Sequence, residues 1–178
     1  MIFTETPLKG AFIISPELIS DHRGFFTRMF CANEFKKLNL NLNMVQSNLS
    51  KSLKKNTIRG MHFQTNGAEE SKLIRCIKGS IIDVIIDLRE NSNTYCQHFK
   101  IELTDTNFKM LYVPEGFAHG FITQTDHTEV FYQVSNFYSP KHEGGVRWND
   151  KIFNIDWGID NPIISEKDNS HPDYTPKF

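Results

Sequence analysis

Apolar and polar positions through the middle of the chain fall into short runs broken by turn residues, the pattern of a β-rich protein. Leu73–Ile77 is apolar, Lys78-Gly79-Ser80 makes a turn, and Ile81–Leu88 (IIDVIIDL) follows, dense in β-branched residues. Within that second run Ile82, Val84, Ile86 and Leu88 share one strand face, while Asp83 and Asp87 share the other with Ile81 and Ile85. Arg89–Asn93 is turn chemistry. Phe99–Leu103, Met110–Val113, Gly120–Thr123 and Glu129–Val134 continue the series between polar or Gly/Pro breaks. Helical spacing is confined to Ala32–Leu38, with a turn expected at Pro16–Ile19. Many short strands and few helices predict an all-β sandwich or small barrel.

Composition narrows this picture. A chain of 178 residues suits one domain over 1–178, large enough to bury a core. With 39% apolar and 23% charged residues it is neither a disordered tail nor a membrane protein. Twenty Lys and Arg against 21 Asp and Glu give a net charge of −1, which argues against a nucleic-acid partner. The first ten residues lack the basic segment and apolar run of a signal peptide, and no apolar stretch is long enough to span a bilayer. Cys31, Cys76 and Cys96 are too few, and at no metal-like spacing, for a disulfide framework or a zinc site. A cytoplasmic protein is expected. Phe supplies 15 of the aromatic residues, in keeping with a packed β core.

Two of the seven histidines stand apart. His22, His127, His142 and His171 sit in loop-like surroundings and His98 at a strand start, all suited to surface roles. His62 interrupts a strand-like run, Ile58-Arg-Gly-Met-His-Phe-Gln64, and His119 lies in Pro114-Glu-Gly-Phe-Ala-His-Gly120 between two predicted strands. A histidine acts as a general base near neutral pH, given a carboxylate to fix its tautomer and a cation for the anion it creates. Asp83, Asp87 and Asp168 are the candidate carboxylates, and Arg23, Arg59 and Lys72 the candidate cations. Tyr132 shares a strand face with Val130 and Val134, so its phenol points inward, either as a core aromatic or as an acid. Lys72 and Arg23 read equally as a strand-start lysine and a turn arginine, and Gln46 and Asn48 as turn formers or as amides for a sugar or base.

Pro114–Gly120 resembles the second motif of the cupin superfamily of β jelly rolls. At the place of the first motif, metal-binding cupins have two His at spacing two; here His62-Phe63-Gln64 supplies one, so no metal is expected. Nearly the whole chain resembles the dTDP-4-dehydrorhamnose 3,5-epimerase family. The stretches that carry the likeness are Asp21–Phe26, Gln46–Ser50, Ile58–Gln64, Lys72–Arg75, Asp83-Val84 and Asp87–Arg89. Tyr112–Phe121, Val130–Tyr132, Asn136–Tyr138, Gly145–Trp148 and Ser165–Asp168 complete them.

The resemblance implies epimerisation at C3 and C5 of a nucleotide-linked 4-keto-6-deoxyhexose without a cofactor. It implies His62 as base, Asp168 as its orienting partner, Lys72 beside the C4 oxygen and Tyr132 as the acid on the other sugar face. Arg23 and Arg59 would clamp the diphosphate, and Gln46, Asn48, His119, Tyr138 and Glu143 would contact substrate or support the site. A homodimer is the family expectation. Arg28 stands where many family members place a Glu, which leaves nucleotide and sugar preference open. Arg59 and His62, three apart, would point to opposite faces of an unbroken strand. Three arrangements reconcile them: Arg59 at the strand end, Arg59 serving across a subunit boundary, or a bulge at Gly60. The competing functions are an epimerase of C3 alone or of another nucleotide 4-keto sugar, a noncatalytic sugar-nucleotide-binding jelly roll, and a metal-dependent cupin.

Overall fold

The computed structural model describes residues 1–40 and 43–177. In chain order its strands are β1 (Ile2–Glu5), β2 (Phe12–Ser15), β3 (Ile19–Asp21), β4 (Gly24–Phe26), β5 (Gln46–Ser52), β6 (Ile58–Gln64) and β7 (Lys72–Lys78). Then follow β8 (Ser80–Asp87), β9 (His98–Thr104), β10 (Met110–Val113), β11 (Phe117–Thr123), β12 (Thr128–Val134) and β13 (Glu143–Gly145). Two short helices are described, α1 (Ala32–Lys36) and α2 (Glu166–Asn169). A six-stranded sheet in the order β1-β2-β10-β7-β12-β5 faces a five-stranded sheet in the order β13-β6-β11-β8-β9, and β3 and β4 form a separate hairpin.

The alternation in Ile81–Leu88 accounts for the layering. Ile81 and Ile85 of β8 join Ile74, Cys76, Leu111, Phe117, Phe121 and Val130 in the core between the sheets. Val84 and Ile86, one residue out of phase, turn the other way onto Met61, Phe153 and Trp157 of the C-terminal segment. Both faces of this central strand are therefore covered, which a run so dense in β-branched residues requires. The outer face of the six-stranded sheet is closed by α1, whose buried Phe35 meets Phe3 edge-on at 5.0 Å and packs with Tyr112 and Leu73.

Every strand expected in the middle of the chain is present, within three residues at each end. The largest displacement is informative. Strand β11 starts at Phe117 rather than Gly120, because the turn is finished at Gly116, which has φ +81°. His119 is thus a strand residue instead of a loop histidine. The helix ends at Lys36, short of Leu38, with Asn39 in the left-handed region at φ 55°. Pro16–Leu18 forms no turn, and Ile19 already belongs to β3. Gln46 and Asn48 are not turn formers: β5 pairs with β12 in the register Tyr132↔Asn48 and Val134↔Gln46.

Candidate active site

Strand β6 brings the first site residues together by a bulge. Opposite β11, His62 pairs with His119 and Arg59 with Phe121, three residues on one strand spanning two on the other. The extra residue turns Arg59 and His62 to the same side, and both line one cavity. Gly60 makes this possible. Its φ is +117°, and a Cβ there would stand 2.7 Å from both the Gly120 Cα and the His119 carbonyl oxygen. Of the three arrangements open to the sequence, the bulge is the one formed.

Asp168 arrives from the far end of the chain. Ile163 makes a parallel bridge to Thr57, with Ile58 N–H donating to the Ile163 carbonyl at 2.8 Å, and so lays the C-terminal segment beside β6. Ser165 caps α2 by accepting from the Asp168 N–H at 3.1 Å. The Asp168 carboxylate then meets His62 Nε2 at 2.9 Å through Oδ1 and accepts the Gly60 N–H at 3.1 Å through Oδ2. Burial opposes its ionisation, but the hydrogen bonds from His62 and Gly60 outweigh it and hold the carboxyl below its usual range. An ionised Asp168 accepts from Nε2–H, which leaves the His62 lone pair on Nδ1.

The three candidate carboxylates separate cleanly. Asp168 takes His62; Asp83, fully buried on β8, meets His119 Nε2 at 2.7 Å. Asp87 is fully buried too, but its partners are Arg89, at 2.8 Å and 2.7 Å from the two carboxylate oxygens, with Ser92 and Thr94. It clamps the loop after β8 and does not line the cavity.

The cavity, of about 520 Å³, opens between the two sheets. His62, Arg59 and His119 come from the five-stranded sheet, Lys72 and Tyr132 from the six-stranded one, and Asp168 from α2. Lys72 is 7% exposed, a buried ammonium rather than a solvated strand-start lysine. Its partner is Glu70, at ion-pair contact. Burial, and secondarily the charge of Glu70, push the Tyr132 phenol above its ordinary value, with Arg59 opposing. The phenol is therefore protonated at neutral pH. A smaller hollow of about 200 Å³ continues from His62, Lys72 and Tyr132 to Gln46, Asn48, Glu70, Tyr138 and Glu143. At its rim Glu143 accepts from the Tyr138 hydroxyl at 2.9 Å and from Lys167 at 2.6 Å. Gln46 donates to the Asn48 side chain at 2.8 Å.

Ten of the eleven site residues expected from the sequence thus line one cavity or the other. Arg23 does not. It sits on the β3–β4 hairpin with its side chain 78% exposed, paired at 2.6 Å to Asp21. Arg28, also exposed, reaches Glu34 at 3.2 Å. Two residues escaped the sequence reading. Glu70 stands with Glu69 downstream of His62-Phe63-Gln64, where a cupin motif carries a Glu, but nothing in the sequence placed it beside Lys72. His171, read as a surface histidine, brings a ring nitrogen within 4.8 Å of the His62 and Asp168 ligand atoms.

The cupin-type metal position is occupied by other work. The Gln64 amide donates to the Ala68 carbonyl at 2.9 Å and the Phe137 carbonyl at 3.2 Å, and accepts the Ser139 N–H at 2.6 Å. With its amide fully engaged with the backbone, Gln64 does not fit as a ligand. Two facing sheets with a cavity between them, lined by a His–Asp pair, a lysine and a tyrosine, define a cupin-type jelly roll.

Comparison with known proteins narrows the class. The family model for dTDP-4-dehydrorhamnose 3,5-epimerase matches residues 5–175. The enzyme of that name from Salmonella typhimurium is 39% identical over 174 residues, 97% of this chain and 94% of its own. The crystal structure of the Elizabethkingia anophelis enzyme superposes with a TM-score of 0.95 at 40% identity, over 98% of this chain and 96% of that one. That of the Bacillus anthracis enzyme, with TDP and PPi bound, gives 0.93 at 43% identity, over 96% and 98%. The chain belongs to the dTDP-4-dehydrorhamnose 3,5-epimerase family of isomerases.

Proposed function

We propose that this protein inverts C3 and C5 of dTDP-4-dehydro-6-deoxy-D-glucose, giving dTDP-4-dehydro-L-rhamnose, a precursor for surface polysaccharide. The observation that carries the reading is the placement of His62 with Asp168 on one sheet side of a cavity and Tyr132 with Lys72 on the other. Both carbons flank the C4 ketone, so loss of either proton gives an enolate with its charge on the C4 oxygen. His62 Nδ1 takes the proton. Asp168 keeps the proton of the neutral ring on Nε2 and stabilises the imidazolium. The Lys72 ammonium, steadied by Glu70, offsets the enolate charge, an effect worth about 10²–10³ in rate for one preorganised donor. Tyr132 returns a proton from the opposite sheet and hence to the opposite sugar face, which inverts the centre. No cofactor is required.

Arg59 lies in the main cavity as one diphosphate contact, with His119 beside it; Gln46, Asn48, Tyr138 and Glu143 form the polar continuation for the rest of the ligand. Arg23 serves this function only from a second copy. Its hairpin exposes Ile19 (69%), Phe25 (49%) and Phe26 (66%), a cluster suited to burial against another chain. We therefore propose a homodimer, built from one domain per chain over residues 1–178. A cytoplasmic location agrees with three free cysteines. Among the described residues no helix is long and apolar enough to cross a membrane.

Proton NMR of the substrate with enzyme in heavy water tests the reading. Deuterium entering at both C3 and C5, with inversion at both, is expected. Exchange at C3 alone would make the protein a C3 epimerase, and tight binding without exchange a noncatalytic sugar-nucleotide binder. Activity surviving exhaustive chelation excludes a metal-dependent cupin.

A further inference from the structure

Beside the His62–Asp168 pair the structure carries a third potential ligand that the proposed reaction does not use. His171 follows α2 by two residues, and its ring lies over Gly145, where a Cβ would come within 2.2 Å of His171 Nε2. Gly145 pairs with His62 across β13 and β6, so the absent side chain is what lets the second imidazole approach the first. His171 Nε2 is buried and has no hydrogen-bond partner. A buried ring nitrogen without a partner is uncommon, because such groups are nearly always paired.

We propose that His62, Asp168 and His171 form a site for one zinc-class divalent ion, and that occupancy withholds His62 from proton abstraction. One ligand atom from each of the three lies within 4.8 Å of the others. Zinc–ligand bonds of about 2.0–2.2 Å set tetrahedral ligands roughly 3.3 Å apart, so side-chain adjustments of an ångström or so close the set. Two imidazoles and a carboxylate are a borderline donor set that favours Zn²⁺ over Mg²⁺ or Ca²⁺. The Gly60 N–H already holds the second Asp168 oxygen, leaving Oδ1 for the metal. The ion replaces the proton shared between His62 Nε2 and Asp168. The displaced proton moves to Nδ1, so the ring stays neutral and no basic lone pair is left. Water completes the coordination. This site is distinct from the cupin-motif position at Gln64, and its inhibitory consequence rests on His62 being the base of the reaction proposed above.

Binding and activity are measured separately so that the two ideas fail separately. Metal-stripped protein is titrated with Zn²⁺, and with Co²⁺ for its visible tetrahedral absorption. One equivalent per chain is expected. His171→Ala and His171→Phe, the latter keeping a ring over Gly145, should weaken binding about tenfold or more, while His22→Ala, at an exposed position, should not. Epimerisation by the unsubstituted protein should fall as the site fills, and the His171 variants should need correspondingly more Zn²⁺. Absence of stoichiometric binding, or unchanged affinity in both His171 variants, overturns the site. Binding that depends on His171 but leaves full activity upholds the site and overturns the assignment of His62 as base.

Discussion

At the scale of single residues, the polarity of one hydrogen bond decides what His62 is able to do. Asp168 as a carboxylate accepts from Nε2–H; an Asn amide in its place can donate instead and stabilise the opposite tautomer. Asp168→Asn is therefore expected to cut kcat by about 10²–10⁴ with little change in substrate affinity, measured by steady-state kinetics. The same pair bears on stability. Because the folded carboxyl titrates below its ordinary value, its contribution is present above the unfolded value of about 3.9 and is lost as pH falls through the folded one. In Asp168→Asn the acid-side decline of the urea midpoint should be shallower. Tyr132→Phe removes the proposed acid and spares the proposed base: solvent deuterium should still enter the substrate while inversion drops, and unchanged inversion would remove Tyr132 from its role.

At the scale of elements, the bulge in β6 is the feature on which the site depends. Gly60→Ala places a methyl against Gly120 and His119 in a left-handed backbone, and should lower unfolding free energy by at least about 2 kcal/mol. A substitution at Gly24, whose Cβ would meet nothing within 4 Å, should cost only the strain of its φ of +129°. Denaturant melts of the two variants make the comparison. Much of this element scale was legible from the sequence. Period-2 patterning located β7 to β12, since strands with an apolar face advertise it. It also pointed Tyr132 inward with Val130 and Val134, and grouped Asp83 with Ile81 and Ile85 on one face, which the fold turns inward. The polar strand β5 was not legible, because QSNLSKS has no apolar face of its own and owes its conformation to pairing with β12. Nor was the length of β11, where a Gly turn and the following strand share one motif.

At the scale of the whole molecule, the exposed β3–β4 hairpin points to a second chain. Phe25 meets Phe108 at 4.9 Å, yet remains 49% exposed, and Phe26 is more exposed still. Light scattering should give twice the mass of the 20.7 kDa chain. Phe25→Ser with Phe26→Ser should shift it toward monomer and raise KM more than it lowers kcat, since the contact proposed for Arg23 from the second chain would be lost without touching the chemistry. A stable monomer at full activity would count against both the dimer and Arg23.

By itself the sequence determined the all-β class, the central strands and which residues share a strand face, because burial of alternating side chains is a local, periodic demand. Through its resemblance it also pointed to His62, Lys72, Tyr132 and Asp168 together. That Asp83 serves His119 and Asp87 clamps Arg89 was left to the tertiary structure, since the two are equivalent as residue types and differ only in what the fold packs against them. Tertiary structure alone also put Arg59 and His62 on one side through an extra residue at Gly60, and Arg23 outside the cavity. It set His171 beside His62 across 109 positions of chain, a contact made by the return of the C-terminal segment along β6. Contacts of that separation carry no local periodicity, so only the closed fold creates them.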